Sequence, residues 1–384
     1  MTERLFKQLI VALFLMTIFG AGLMTLLNLE ALKSSETDHG TGFERETLLS
    51  GELARNFEQH YDTEFSLREI GLNTWAAFQF SVFKQAKKGL LIGTDGWLFS
   101  DEEFIAHPRG QQSLDANIAY MVDASGQLAN KDIALIVVLI PSKARLLQEQ
   151  VGNHQPALLQ QELYPKVLNS LQEQLIPVVD GLQVMSSHPQ PESLYLKSDT
   201  HWTPAGAGLI ASNTAALINQ HLPGLSLTPK QFVTENAGES SIAGDLLSFL
   251  PLAPFFEHLL PETESIDLFQ TYAAEDKALF DNEPLFAEHK GSEVVLLGTS
   301  FSADRRWNFD GALKQALSVD LENLAEQGHG PISPMVKFLQ LPLPAELKLV
   351  IWEIPERYLS MAYPEIESQQ VARKSAQKKP MEIK

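Results

Sequence analysis

The sequence predicts a layered α/β domain whose helices cover both faces of a mainly parallel sheet. Two features predict it: apolar runs without polar alternation, which are typical of strands buried on both faces, and stretches of helical spacing between them. The composition agrees, because 44% of the residues are apolar and 20% are charged, as in globular proteins. Wholesale disorder is therefore excluded.

The strands are predicted from uninterrupted aliphatic and β-branched runs. Residues 132–140 read DIALIVVLI, and the run stops at Pro141. Residues 293–297 and 347–352 are similar runs later in the chain, and residues 176–180 form a shorter one. A run that is apolar at every position suits a strand with helices on both sides.

Helices are predicted between these strands. Residues 112–131 and 157–174 have apolar side chains at helical spacing. A third helix is expected over residues 204–221, because Thr203 is a good N-cap and Pro204 suits the first helical position. Strands that alternate with helices predict parallel pairing through crossover connections.

The first residues predict a membrane anchor. Residues 8–29 carry no charge, and a helix of this length spans about 33 Å, enough to cross a bilayer. Arg4 and Lys7 precede the run, so the body of the chain is expected on the non-cytoplasmic side. A cleaved signal peptide is the alternative, although its apolar core is normally shorter.

The chain divides, on this interpretation, into one main domain with flanking segments. Residues 1–29 are the signal anchor and transmembrane helix, and residues 30–47 are a polar linker. Residues 48–360 form the main domain, within which residues 226–284 lack a clear period and are interpreted as an insertion. Residues 361–384 are predicted to be a flexible, basic tail.

Composition also excludes several classes of function. The chain has no cysteine, which removes disulfides, thiolate nucleophiles and zinc–cysteine sites. Its 29 basic and 48 acidic residues give a net charge of −19, which disfavours nucleic acid as a partner. The ten histidines show no metal-ligand spacing, so no metal site is predicted.

One candidate catalytic segment lies just before the third predicted helix. Asp199 and His201 are two residues apart, and in an extended backbone such side chains point to the same side. The carboxylate would then fix the tautomer of the imidazole and stabilise its protonated form. The alternative is a helix N-cap region with incidental polar residues.

A second candidate segment follows a predicted strand. Gly298 permits a sharp turn, and Ser300 would be exposed at the carboxyl edge of the sheet. Because position 302 is Ser302, the usual Gly-x-Ser-x-Gly nucleophile elbow is not matched. An ordinary strand-to-loop turn is the alternative. Taken together, Ser300, His201 and Asp199 supply a nucleophile, a general base and an orienting group.

Several motifs, in one order, resemble the alginate O-acetyltransferase family, whose fold is SGNH-hydrolase-like. They are DTHWTPAGA (199–207), GTDGWLFSDEEF (93–104), VLIPSKAR (138–145), GTSFS (298–302), WNFDGA (307–312), GHGP (328–331) and WEIPERYL (352–359). The resemblance covers residues 48–360. Phe301 departs from the pattern, since relatives often carry tyrosine there.

The resemblance implies an SGNH-like three-layer sandwich and a role for each residue of the triad. Ser300 would take an acetyl group, His201 would be the base and Asp199 its partner. The acceptor would be mannuronate hydroxyls of alginate during export, and no cofactor would be needed. A polytopic membrane-bound O-acyltransferase and other alginate acetylation proteins would be partners. The catalytic domain would lie in the periplasm, on a single-pass anchor in the inner membrane.

Two other functions stay open from the residues alone. A polysaccharide acetylesterase would use the same acyl-enzyme and differ only in letting water attack it. A non-catalytic scaffold of the export complex would not need the intact Asp199, His201 and Ser300.

An acidic chain that binds an acidic polymer needs a local positive rim. Lys143, Arg145 and Arg305 are the candidates for substrate binding, because each lies just beyond a predicted buried strand. For Lys143 and Arg145, the alternative is a helix-capping or solvating role.

Overall fold

The computed structural model describes residues 7–16, 18–20, 22–23, 55, 68–275 and 292–366. The chain divides into two units, the first comprising residues 1–84 with 251–260 and the second residues 85–250 with 261–384. Within the first unit, Asn73 on a helix donates a hydrogen bond from Nδ2 to the carbonyl of Pro251 at 2.9 Å.

The second unit contains every described strand. They are β1 (Leu90–Ile92), β2 (Leu98–Ser100), β3 (Ala134–Ile140), β4 (Val178–Asp180), β5 (Phe232–Ile242), β6 (Glu264–Ala273), β7 (Val294–Leu297), β8 (Glu322–Asn323) and β9 (Leu349–Pro355). The central sheet has the order β4-β3-β9-β7-β8, and all its pairings are parallel. Two antiparallel pairs, β1 with β2 and β5 with β6, stand apart from it.

Helices precede and follow most of the central strands. They are α1 (Arg68–Phe78), α2 (Gly110–Ala129), α3 (Lys143–Leu146), α4 (Gln148–Val151), α5 (Leu158–Glu173), α6 (Gly181–Ser186), α7 (Pro204–His221), α8 (Ser300–Ala303), α9 (Phe309–Leu317) and α10 (Ile332–Gln340). Helix α1 belongs to the first unit and continues into a π-helical turn, Gln79–Phe83.

Side chains that alternate along each central strand enter two separate cores. On β3, Ile136 and Val138 belong to a core covered by α7 and α9, whereas Leu135 and Val137 belong to a core covered by α2, α5 and α10. These residues are almost completely buried. Because both faces of the sheet need apolar side chains, the strand has no polar alternation. The predicted α/β sandwich with a mainly parallel sheet is confirmed.

The predicted elements differ from the observed ones mainly at their ends. The helix predicted over residues 204–221 is α7, and the side chain of Thr203 caps it by accepting a hydrogen bond from the N–H of Gly206. The last strand, predicted over residues 347–352, is observed as β9, which begins at Leu349 and ends at Pro355. Glu353, a charged residue, lies inside this buried strand.

A long hairpin, β5 with β6, lies within the segment interpreted as an insertion, residues 226–284. Most side chains of β5 are exposed, so no apolar alternation marks the strand in the sequence. The register shifts beside Gly238, whose φ of 108° suits a glycine. Backbone pairing therefore organises this region more than apolar burial does.

The two ends of the chain lie partly outside the described residues. Residues 7–16, 18–20 and 22–23 are helical, and no helix of the described part is both long and apolar enough to span a bilayer. At the other end, Tyr363 and Ile366 are buried, and Asn117 donates a hydrogen bond to the carbonyl of Met361. Residues 361–366 are thus packed on the domain, although the sequence predicted a flexible tail from residue 361.

Parallel pairing brings the carboxyl ends of the central strands to one edge of the sheet. Lys143 and Ser300 each lie three residues beyond the end of their strands, β3 and β7. Glu356 comes directly after β9. Of the residues predicted from sequence, Lys143 and Ser300 therefore lie at this same edge.

Candidate active site

Ser300 lies at a tight turn between β7 and the single-turn helix α8. Thr299 caps the helix, and its Oγ1 accepts a hydrogen bond from the backbone N–H of Phe301 at 3.3 Å. Gly298 is required by space, since a Cβ there would lie 2.4 Å from a carboxylate oxygen of Glu353. The turn leaves Ser300 half-buried, with its side chain at the edge of the sheet.

A buried carboxylate holds this turn from the neighbouring strand. Glu353 on β9 is completely buried, and it accepts hydrogen bonds from the N–H of Thr299 at 2.8 Å and from the hydroxyl of Ser302 at 3.0 Å. The hydroxyl of Thr299 donates to it as well, at 3.1 Å. Burial raises the pKa of Glu353 to about 7, against the lowering effect of these hydrogen bonds.

Asp199 and His201 meet on the loop before α7. One oxygen of Asp199 accepts hydrogen bonds from the backbone N–H of His201 at 2.9 Å and lies 2.6 Å from its Nδ1. The other oxygen accepts a hydrogen bond from the N–H of Asp245 at 3.0 Å. Burial raises the pKa of Asp199, but the hydrogen bond and charge of His201 outweigh it, and the pKa falls to about 2. Asp199 is therefore an anion at neutral pH.

The two segments join through the histidine. Nε2 of His201 lies 2.7 Å from Oγ of Ser300. An ionised Asp199 favours the tautomer with the proton on Nδ1, which leaves Nε2 as the acceptor for the serine hydroxyl. A continuous series of hydrogen bonds thus links Asp199, His201 and Ser300. The first and last of these residues are 101 positions apart in the sequence.

Aromatic rings hold the imidazole plane. The ring of Trp307 stacks on that of His201, with centroids 5.5 Å apart and planes 21° from parallel. Phe301 contacts the same imidazole at 4.8 Å. Both aromatic residues are buried, so the ring of His201 has little freedom to turn away from Ser300.

Asp245 is a neighbour of the site that sequence reasoning missed, since it lies in a segment without periodicity. Its carboxylate accepts two hydrogen bonds from Thr200. The backbone N–H donates one at 2.8 Å, and the hydroxyl donates the other at 2.5 Å. It also approaches Nδ1 of His201 to 3.8 Å.

Glu353 was also missed by the sequence analysis. The signal that could have identified it is a charged residue between the apolar strand and Pro355.

The side chains around the histidine have the types that can ligate a metal. Ligand atoms of Asp199, His201 and Asp245 lie within 4.8 Å of one another. However, these atoms are engaged in hydrogen bonds: Nδ1 with Asp199, and Asp245 with Thr200. In this arrangement Asp199 contacts the imidazole directly, and Asp245 holds the neighbouring Thr200.

The three cations predicted to bind substrate have different surroundings. Lys143 is 1% exposed and donates its hydrogen bonds to backbone carbonyls. Arg145 pairs with the buried Glu356, with Nη2 2.6 Å from Oε1. The prediction that these two side chains bind substrate is therefore corrected. The ammonium of Lys143 is buried, and Arg145 is engaged by Glu356 and by the carbonyls of Gln160 and Gln161. Arg305 is exposed and has no ion pair among the described residues.

The chain is similar to known proteins of one family. Residues 90–356 match the family model described as the SGNH hydrolase-like domain of the acetyltransferase AlgX. Two relatives are both named "Probable alginate O-acetylase AlgJ". The one from Pseudomonas aeruginosa is 42% identical over 322 residues, 82% of each chain. The one from Azotobacter vinelandii is 40% identical over 351 residues, 89% of this chain and 88% of the relative.

A solved structure is similar as well. The O-acetyltransferase domain of Pseudomonas putida AlgJ aligns with a TM-score of 0.66 and 34% identity, covering 74% of this chain and 98% of that one. The family match spans more than half of the chain, and the relatives are similar over most of their length. This chain belongs to the AlgX family of acetyltransferases with an SGNH hydrolase-like domain.

Proposed function

We propose that this chain transfers acetyl groups to hydroxyls of mannuronate residues in alginate, through an acetyl ester on Ser300. The hydrogen-bonded chain Asp199–His201–Ser300 at the carboxyl edge of the sheet is the observation that carries the proposal. The membership of the acetyltransferase family supports the reaction, and the relatives named alginate O-acetylase support the acceptor.

The first half-reaction loads the serine. Oγ of Ser300 attacks the carbonyl carbon of an acetyl donor while Nε2 of His201 takes the hydroxyl proton. The bond between the acetyl group and its leaving group then breaks, and the proton on Nε2 passes to that leaving group. Asp199, 2.6 Å from Nδ1, stabilises the imidazolium that forms between these steps.

The second half-reaction delivers the acetyl group. A sugar hydroxyl gives its proton to Nε2 of His201 and attacks the acetyl carbon on Ser300. The ester bond to Ser300 breaks, Oγ recovers the proton from Nε2, and the acetylated sugar leaves. Neither half-reaction needs a group other than those of this chain, the donor and the acceptor.

The acceptor is a polyanion, and its carboxylates require a cation near the site. Arg305 follows α8, five residues after Ser300, and its guanidinium is exposed. It is the remaining candidate for an ionic contact with a uronate carboxylate.

We also propose where the chain works and with what. The uncharged run at residues 8–29 and the basic residues before it favour an uncleaved anchor in the inner membrane, with the catalytic domain in the periplasm. A polytopic membrane-bound O-acyltransferase would supply the acetyl groups, alongside other proteins of alginate acetylation. A reporter fused after Leu29 that is active only in the cytoplasm would contradict this topology.

Product analysis tests the reaction. The purified chain is incubated with an activated aryl acetate as donor and oligomannuronate as acceptor, and both products are followed by mass spectrometry. We expect acetylated oligomannuronate and a transient acetyl group on the peptide that contains Ser300. Release of acetate alone, with the oligomer unmodified, would indicate an acetylesterase. An unmodified oligomer without acetate release would indicate a scaffold.

A further inference from the structure

Lys143 is the first residue of α3, and its ammonium is enclosed by the loop that carries Asp199. The side chain is 1% exposed. Nζ donates hydrogen bonds to the carbonyls of Leu196 at 2.9 Å, Lys197 at 3.2 Å and Asp199 at 2.7 Å. An ammonium has three N–H donors, so every donor of Lys143 is used on this one loop.

Aromatic faces complete the enclosure. Nζ lies 5.2 Å from the ring centroid of Phe99 and 5.6 Å from that of Trp97, at distances suited to cation–π attraction. Burial lowers the pKa of Lys143 to about 8, while nearby carboxylates, Glu103 foremost, favour the charged form. The amine therefore remains mostly protonated at neutral pH, and its hydrogen bonds and the nearby carboxylates offset part of the cost of burying the charge.

The loop held by this amine is the one that positions the catalytic carboxylate. The loop spans residues 196–201. A hydrogen bond from the N–H of Leu196 to the carbonyl of His201, at 3.2 Å, joins its two ends. Three carbonyls of this loop, those of Leu196, Lys197 and Asp199, accept hydrogen bonds from Nζ. The carbonyl of Asp199 is one of them, so the ammonium is bonded to the same residue whose carboxylate contacts Nδ1 of His201.

We propose that Lys143 is a positioning residue for the triad, which fixes the backbone of residues 196–199 so that the carboxylate of Asp199 meets His201. The proposal rests on the catalytic role of Asp199, His201 and Ser300 given above. Lys143 itself does not contact substrate, because its ammonium is enclosed. A displacement of about 1 Å in a catalytic group costs on the order of a hundredfold in rate, so the loss of three hydrogen bonds should be large.

The main test is Lys143→Met, which keeps a long apolar stem and removes the charge. We expect kcat for acetyl transfer to oligomannuronate to fall about a hundredfold, with KM changed less than about twofold. Lys131→Met is the control. Lys131 is an exposed lysine that precedes β3, at the opposite end of this strand from Lys143. The control should keep kcat within about twofold of wild type.

Coupling to Asp199 separates positioning from a general structural role. In an Asp199→Asn background, adding Lys143→Met should lower kcat by less than about threefold, because the group that Lys143 positions is already lost. An undiminished hundredfold loss in that background would overturn the proposal. So would a raised KM with an unchanged kcat, which would return Lys143 to substrate binding.

Two further controls keep the test decisive. If Lys143→Met does not fold, as judged by circular dichroism and thermal unfolding, Lys143→Gln replaces it, with the same expected kcat loss and the same coupling. Wild-type kcat in a folded Lys143→Gln protein would overturn the proposal. The Ser300→Ala variant tests the proposed function separately: if it retains normal transfer, the triad fails regardless of the result at Lys143.

Discussion

The carboxylate of Glu353 accepts a hydrogen bond from the backbone N–H of Thr299, the residue directly before Ser300, at 2.8 Å. Glu353 lies within β9, and Thr299 lies two residues beyond the end of the neighbouring parallel strand β7. A completely buried carboxylate on one strand thus anchors the turn after the next strand that carries Ser300, the proposed nucleophile. Because a buried acceptor is costly unless its hydrogen bonds are made, this contact defines the position of the turn.

Glu353→Gln is expected to reduce acetyl transfer while the sheet remains folded. The amide offers one oxygen where the carboxylate offered two, and its NH₂ group would face donors on Thr299 and Ser302. We expect kcat to fall about tenfold to a hundredfold, with KM little changed. Steady-state kinetics with oligomannuronate measure this. A variant with wild-type kcat would show that the turn does not need the carboxylate.

The same residue predicts a pH dependence of stability. Its pKa is raised from 4.5 to about 7 in the folded protein, so between these values the folded state holds a proton that the unfolded state has lost. Its contribution to the free energy of unfolding should therefore decrease as pH rises from about 4.5 to about 7. Urea unfolding at several pH values should show that the free energy of unfolding decreases less with pH for Glu353→Gln than for wild type. A decrease remains in the variant, because Glu103, whose pKa is also raised to about 7, contributes with the same sign in both proteins.

Ser300→Ala is expected to abolish acetyl transfer without unfolding the protein. The hydroxyl is half-buried, and its removal costs Nε2 of His201 one hydrogen bond while the contact of Nδ1 with Asp199 remains. The loss of a nucleophile lowers kcat on the order of 10³-fold or more. The control is Ser186→Ala, at an exposed serine on α6. Turnover of Ser300→Ala near that of the control would exclude an acyl-enzyme at Ser300.

Asp199→Asn should impair catalysis more than folding. The amide cannot hold the proton on Nδ1 of His201 as the carboxylate does, so we expect kcat to fall by about 10²- to 10⁴-fold. The pKa of Asp199 is lowered from 3.8 to about 2 in the folded protein, so its ionised carboxylate stabilises the folded state. Its contribution is complete above about 3.8 and disappears as pH falls through about 2.

Unfolding measurements check that sign. Wild type should lose more stability than Asp199→Asn between about pH 4 and pH 2, so their difference in unfolding free energy should shrink on acidification. A constant difference over this range would mean that the pKa of Asp199 is not lowered in the folded protein.

Arg305→Gln is expected to weaken binding of the acidic polymer alone. Because the side chain is exposed, the contact is solvent-screened, and we expect KM for oligomannuronate to rise by about two- to tenfold. Hydrolysis of a small neutral acetyl ester should stay unchanged, and added salt should reduce the difference between variant and wild type. Lys131→Gln is the control, since Lys131 is exposed near the amino end of β3. Equal effects of the two substitutions on KM would place the acceptor elsewhere.

Much of the fold could be predicted from local patterns. The apolar run at residues 132–140 identified a strand with helices on both faces, because such a strand has no solvent side and needs no polar residues. The capping pair Thr203 and Pro204 identified the start of α7, since capping depends on neighbours in sequence. By contrast, the hairpin β5–β6 was not predicted, because its stability depends on pairing between exposed strands.

For the site, the sequence by itself identified the chemical groups, and the tertiary structure decided what each one contacts. Asp199, His201 and Ser300 were recognisable because the flanking helix and strand define the positions of those side chains locally. Lys143 and Arg145 could not be assigned in this way. A cation after a strand can face solvent or the interior, and only the packing of residues 196–199 and of Glu356 against them turned both inward. The physical reason is that burying a charge becomes favourable only when distant residues supply its partners, and those partners are brought together by the folded chain.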